Sequence, residues 1–377
     1  MKVGIPKEIA PNETRVSVIP GMLNVITKMN HEVIVEKDAG AMAGFSDQQY
    51  ADQGAKIVAS AKELYSEADI VLKVQPPMQH ESLGKHESEA LKDGAYLVTF
   101  LSPASNPDGI KKLKGRKVTA FDMGFVPRIT RAQSMDALSS MATVAGYKAV
   151  VMGADYLGKM FPLMMTAAGT VPPSNVLVLG AGVAGLQAIA TAKRLGAKVE
   201  AFDPRIAVKE QIESLGAKFV EMEITEDAET AGGYAKEMSD DFLRKEQEAI
   251  AKRLPKVDLV ITTAQVFGKA APILITEEMI KMMHSGSVII DIAAEQGGNP
   301  ALTQKGKTEK HGVIIHGAVN LPALIPVHAS QMYSKNITNL FQLIFKETID
   351  WEDEIIKGSC VVKEGEVVNK LVADIIA

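Results

Sequence analysis

The run Val176-Leu177-Val178-Leu179 passes without interruption into Gly180-Ala181-Gly182-Val183-Ala184-Gly185, and then into the helix formers LQAIATAKRLG. Apolar strand, glycine-rich turn and helix in that order define a βα unit, and nothing else in the chain constrains its fold as much. A G-x-G-x-x-G pattern is weak alone, but between a strand and a helix it has a mechanism. Gly180 permits the tight turn, Gly182 lets the backbone approach a pyrophosphate, and Gly185 lets the helix lie close to the strand. The helix N-terminus then offers free N–H groups and a partial positive charge to the phosphates.

A second strand, predicted at 198–201, leads to Asp203, 18 residues after Gly185. That is near the spacing of the acid that accepts hydrogen bonds from the adenosine ribose. A carboxylate there repels a 2′-phosphate, so the residues point to NAD(H) rather than NADP(H). Arg205 argues the other way, because an arginine beside the ribose accommodates that phosphate.

Short β-rich runs alternate with helical stretches along the rest of the chain, which predicts α/β architecture. Strands are expected at 2–5, 32–36, 70–74, 96–100 and 117–120, and again at 176–179, 198–201, 218–220, 258–262, 287–291 and 313–316. Two long helical patterns, 133–159 and 329–345, separate these sets. The first would run roughly 40 Å if unbroken, although Gly146 and Gly153 weaken it. The expected fold is two doubly wound, Rossmann-like domains with parallel sheets, joined by long helices. The first domain is placed at 1–137 plus 328–377, and the nucleotide-binding domain at 138–327.

The 377 residues suffice for two or three domains, and 46% hydrophobic with 23% charged residues is the balance of a soluble globular protein. A net charge of -5 without a basic block excludes nucleic acid as a partner. The single cysteine, Cys360, excludes a disulfide framework and a cysteine-based metal site, and no metal is expected. The N-terminus lacks an apolar core of signal-peptide length, and no uninterrupted apolar run is long enough to span a bilayer. A cytosolic-type compartment is expected.

Two segments stand out. Residues 221–240 read EMEITEDAETAGGYAKEMSD, acidic and without a clear period; both a functional loop and a solvated insertion fit. Residues 125–136 read FVPRITRAQSMD and concentrate two Arg, a Gln and an Asp between a strand and the first long helix. One reading has them only cap and solvate that helix, with Ser134 near the cap and Asp136 in the first turn.

Several stretches here resemble one family, the NAD(H)-binding component of proton-translocating nicotinamide nucleotide transhydrogenase. The resemblance rests on GIPKE, RVSVIP, KVQPPM, PRITRAQSMDALSS, MMTAAGTVPP, the glycine segment, ETAGGYAKEM and GSVIIDIAAEQGGN. RAQSMD and AGGYAKEM are specific to that family. The resemblance implies that Arg128, Gln133, Asp136 and Ser139 orient the dihydronicotinamide end. It implies that Gly180, Gly182, Val183 and Asp203 hold the ADP half, and that Tyr234 closes over the nucleotide. The implied partners are a membrane-embedded proton channel and a domain carrying NADP(H), with a homodimer as the expected assembly. The chain, with no membrane segment after Ala377, matches the separate form of the component. It would lie on the inner face of the plasma membrane through those partners.

The scaffold is similar to alanine dehydrogenase as well, where Arg15 and Lys73 match substrate-holding positions. Two catalytic positions differ. VTFLSP, at 98–103, has no His, and Glu295 stands where a catalytic Asp is expected. Oxidising an amino acid couples hydride loss to proton transfers and needs an acid/base group, whereas passing hydride between two nicotinamides needs only close, dry alignment. Three functions remain in view: hydride donor from NADH to NADP+ on a partner, amino-acid dehydrogenase, and NAD(H)-binding protein without chemistry.

Overall fold

The computed structural model describes residues 1–222, 239–265 and 269–376. They form two compact units, Met1–Met141 with Pro322–Ala377, and Ala142–Leu321.

In the first unit six strands run in chain order: β1 (Lys2–Ile5), β2 (Glu32–Glu36), β3 (Lys56–Val58), β4 (Ile70–Leu72), β5 (Tyr96–Thr99) and β6 (Thr119–Asp122). They lie side by side as β6-β5-β4-β1-β2-β3, all parallel. Val33, Ile34 and Val35 of EVIVE are all buried, as befits a parallel sheet covered on both faces. Two late strands, Cys360–Lys363 and Glu366–Val367, extend the β6 edge in antiparallel fashion. Neither these nor β3 was expected from the sequence. The Cys360 thiol is buried there, and burial pushes its pKa up to about 12.

The second unit holds β7 (Asn175–Leu179), β8 (Lys198–Phe202), β9 (Lys218–Phe219), β10 (Leu259–Thr262), β11 (Val288–Asp291), β12 (Gly306–Lys310) and β13 (Val313–Gly317). Their order is β9-β8-β7-β10-β11-β13-β12, parallel except for the β12–β13 pair. The chain winds from β7 outward to β8 and β9, then crosses back to β10 on the other side. The strand order therefore reverses at β7, and in open α/β sheets ligands bind outside the carboxyl ends of the strands at such a point. An exposed hairpin, Met164–Thr166 with Gly169–Val171, precedes β7.

The first long helix, α1 (Ala137–Tyr156), is shorter than the predicted 133–159. Residues Thr130–Met135 form a 3-10 turn, and Asp136, at φ −73° and ψ 86°, leaves helical geometry and caps α1 itself. Its Oδ1 accepts the Ser139 N–H at 2.8 Å. The cap is therefore Asp136 and not Ser134, since a carboxylate at the first helical N–H groups satisfies donors that have no intrahelical partner. The second long helix, Pro326–Phe345, begins at a proline that has no N–H to lose there. Among the described residues no helix is long and apolar enough to cross a membrane.

Candidate functional site

The glycine turn follows β7 at the carboxyl edge of the second sheet. Gly180 has φ +97°, and its N–H donates to the Phe202 carbonyl at 2.8 Å. A side chain there would be strained by backbone conformation alone. Gly185, in helix α2 (Val183–Arg194), packs so closely that an added Cβ would fall 1.9 Å from the Gly180 carbonyl oxygen. Gly182 differs from both. It has an ordinary φ of −72° at the N-cap of α2, and nothing lies within 4 Å of where its Cβ would be. No side chain caps α2, so the first-turn N–H groups, from half-exposed Val183 onward, face that open ground. An anion of pyrophosphate size fits a bare helix N-terminus with clear space over its cap residue.

Asp203 stands just beyond β8 and is 3% exposed. Its Oδ2 accepts the Ala181 N–H at 2.7 Å and Arg205 Nη2 at 2.9 Å. Its Oδ1 accepts the Arg205 N–H and Nε, both at 2.9 Å. These four donors match the roughly four acceptor sites of a carboxylate. Arg205, which the sequence set against Asp203, is thus its ion-pair partner.

The 128–139 segment belongs to the first unit. Ala132 and Met135 are buried beneath the 3-10 turn, which leaves Arg128 and Gln133 exposed. Asp136 Oδ2 receives the Ser139 hydroxyl at 2.6 Å, so these two expected site residues meet. Asn336 and Asn339, on helix Pro326–Phe345, both donate to the Ser134 carbonyl, at 3.0 and 3.1 Å. The turn carrying Gln133 is thereby tied to a long helix, which sequence reading missed. The two asparagines lie three apart on one helix face, and only the fold reveals what they grip. Tyr234 lies outside the described residues.

Elsewhere in the first unit, Arg15 and Lys73 are spent on internal carboxylates. Glu13 takes Arg15 Nε at 2.8 Å and Nη2 at 2.6 Å. Lys73 Nζ lies 2.8 Å from Glu87 and 3.4 Å from Glu8, all three buried. Burial alone would lower the Lys73 ammonium, but the charges of Glu8 and Glu87 reverse this and hold it above its ordinary range. Tyr65 adds its hydroxyl to Glu87 at 2.7 Å. Where an alanine dehydrogenase has its His, Thr99 donates its hydroxyl to the Gln75 carbonyl at 2.8 Å. Nearby Asp122 is pushed up to about 7 by burial. In the second unit, Glu295 is exposed and accepts the Asn320 N–H at 3.0 Å.

These features define a class: a two-unit α/β protein whose second sheet carries a dinucleotide-type glycine turn at its switch point. Family models for the N-terminal and C-terminal domains of alanine dehydrogenase/PNT match residues 4–145 and 149–370. The first portion of NAD(P) transhydrogenase subunit alpha from Rhodospirillum rubrum, a separate polypeptide, is 49% identical over 377 residues, 98% of each chain. The solved transhydrogenase from Sinorhizobium meliloti is similar at TM-score 0.88 and 40% identity, across 98% of this chain and 100% of that one. A solved L-alanine dehydrogenase follows at TM-score 0.83 and 27% identity, across 100% and 99%. The chain belongs to the alanine dehydrogenase/PNT family.

Proposed function

We propose that this chain is the NAD(H)-binding component of a proton-translocating transhydrogenase. It donates hydride from NADH to NADP+ held on a partner domain, and a membrane partner couples that transfer to proton movement. The observation that carries this reading is the contrast between the two units. The glycine turn keeps open ground over Gly182, whereas the cations that would hold an amino-acid substrate are bound by the chain's own carboxylates. Nucleotide binding is retained and the groups for amino-acid chemistry are not available.

Bound NADH supplies the hydride; the residues bind and orient it. The first turn of α2 and Gly182 receive the pyrophosphate, and the Asp203 region receives the adenosine ribose. Arg128, Gln133, Asp136 and Ser139 act at the dihydronicotinamide end. Asp136 is fixed by its bond to Ser139, so it positions and does not shuttle protons. Gln133 presents an amide with donors and an acceptor and no titration at neutral pH. The component works as a homodimer on the inner face of the plasma membrane, through its partner subunits.

The test is reconstitution. Purified chain, NADH, an NADP+ analogue with a distinct absorbance and a purified NADP(H)-binding domain should give transfer that needs all four. Absence of transfer despite tight NADH binding would leave a binding protein. Pyruvate formation from alanine would favour the dehydrogenase.

A further inference from the structure

Helix α3 (Asp240–Ala251) buries Phe242, Glu246, Ala249 and Ile250. Spacing of four, seven and eight marks one face, so Glu246 lies in the stripe that packs on the sheet. Ile250 shares a core cluster with Leu179 of β7 and Phe202 of β8. A helix feeding a parallel strand runs opposite to it, so the N-terminal half of α3 lies toward the strands' carboxyl ends. One turn, about 6 Å, separates Ile250 from Glu246. Glu246 therefore sits toward the edge where Asp203 ends β8.

A carboxyl group, 5% exposed, is out of place in such a stripe. Among the described residues none gives it a hydrogen bond or an ion pair. The ionisable group whose charge reaches it is Asp203. Arg205 is engaged by Asp203, Lys209 pairs with Glu221 at the surface, and Arg244 and Lys245 on α3 itself pair with Asp241. Asp203 has four donors already, whereas the carboxyl of Glu246 keeps its hydrogen-bonding capacity.

We propose that Glu246 is a further nucleotide-binding residue, the second carboxyl of the adenosine-ribose subsite, and that it makes binding at that subsite depend on pH. The proposal rests on the NAD(H) reading above and deepens it. Burial, then the Asp203 charge, pushes the Glu246 carboxyl up to about 8. At neutral pH it carries a proton and is an O–H donor beside the Asp203 acceptor, a complementary pair for a vicinal diol. Above about 8 it becomes a second negative charge at the same place. The donor is lost to the ribose, and a 2′-phosphate meets two carboxylates instead of one.

NADH fluorescence titrations on the full chain between pH 6.5 and 9.5 test this, with Glu246→Gln and Glu246→Ala alongside. The unmodified protein should lose about 3- to 10-fold in NADH affinity as pH rises through 8, the worth of one hydrogen bond. Glu246→Gln, a neutral donor throughout, should hold its affinity flat. Glu246→Ala should be weak by a similar factor at every pH. A folded carboxyl with a raised pKa loses stability as pH climbs from its unfolded value toward about 8. The melting temperature of nucleotide-free Glu246→Gln should therefore gain on that of the unmodified protein over that range, which supports the proposal even if Glu246→Ala does not fold. NADH binding that is tight and equally flat in pH for the unmodified protein and Glu246→Gln overturns the proposal and leaves the NAD(H) site standing. No NADH binding at any pH overturns both.

Discussion

Asp203 Oδ2 accepts the Ala181 N–H at 2.7 Å, so the residue that ends one strand fixes the glycine turn that ends its neighbour. The same carboxylate holds Arg205 through three further bonds. Asp203 thus has two tasks, to shape the turn and to set the charge at the ribose. Asp203→Ala should weaken NADH binding by roughly 10- to 100-fold, since a buried bond to a charged acceptor contributes about 1.5–3 kcal/mol. It should also narrow the preference for NADH over NADPH, because Arg205 is released. Direct titration with both nucleotides checks this, and an unchanged ratio of affinities would remove Asp203 as the selector.

The glycines give a paired prediction. Gly182→Ala adds a methyl group to open space at a permitted φ, so the melting temperature should stay near that of the unmodified protein while NADH affinity drops at least about 10-fold. Gly185→Ala drives a methyl group into the Gly180 carbonyl and should cost about 1–3 kcal/mol of stability in the nucleotide-free protein. Calorimetry and NADH titration on both variants separate the roles; equal stability losses would mean that Gly182 is structural as well.

Gln133→Asn keeps the amide but withdraws it by one methylene, roughly 1.5 Å. Misplacement of about 1 Å can cost on the order of 100-fold in rate. Single-turnover hydride transfer to the partner domain should fall by that order while NADH affinity stays within a few-fold. Transfer at the unmodified rate would reduce Gln133 to an exposed residue of a 3-10 turn. Asn336→Ala combined with Asn339→Ala should move the same rate in the same direction, because both hold the Ser134 carbonyl next to it.

Alanine with NAD+ should give negligible turnover, because Glu13 holds Arg15, Glu8 and Glu87 hold Lys73, and Thr99 stands in the strand where a His is expected. Pyruvate release, followed by absorbance at saturating alanine, is the measurement. Lys73→Met should instead lose about 3–5 kcal/mol of stability in denaturant titrations, the usual result of leaving buried charges without their partner. A variant as stable as the unmodified protein would show that Lys73 is not the centre of that cluster.

By itself the sequence determined the βα unit from Val176 to Asp203, since strand, turn, helix and acid follow one another within about thirty residues. Local sterics and the spacing of apolar side chains are enough to specify such a unit. It also determined which chemistry the chain lacks, because a missing histidine is legible without any contact. Contacts between distant residues were decided by the tertiary structure. Asp136 displaced Ser134 as the helix cap because the preceding residues close a 3-10 turn against buried Ala132 and Met135. Cys360–Lys363 became a sheet strand because it found the open edge of β6, more than 230 residues earlier in the chain. Arg205 changed from a competitor of Asp203 into its partner through side-chain geometry that spacing does not encode. Glu246 looks in sequence like one more charge on an acidic helix; packing on the sheet buried it near Asp203, and burial is what gives a carboxyl group a proton to keep at neutral pH.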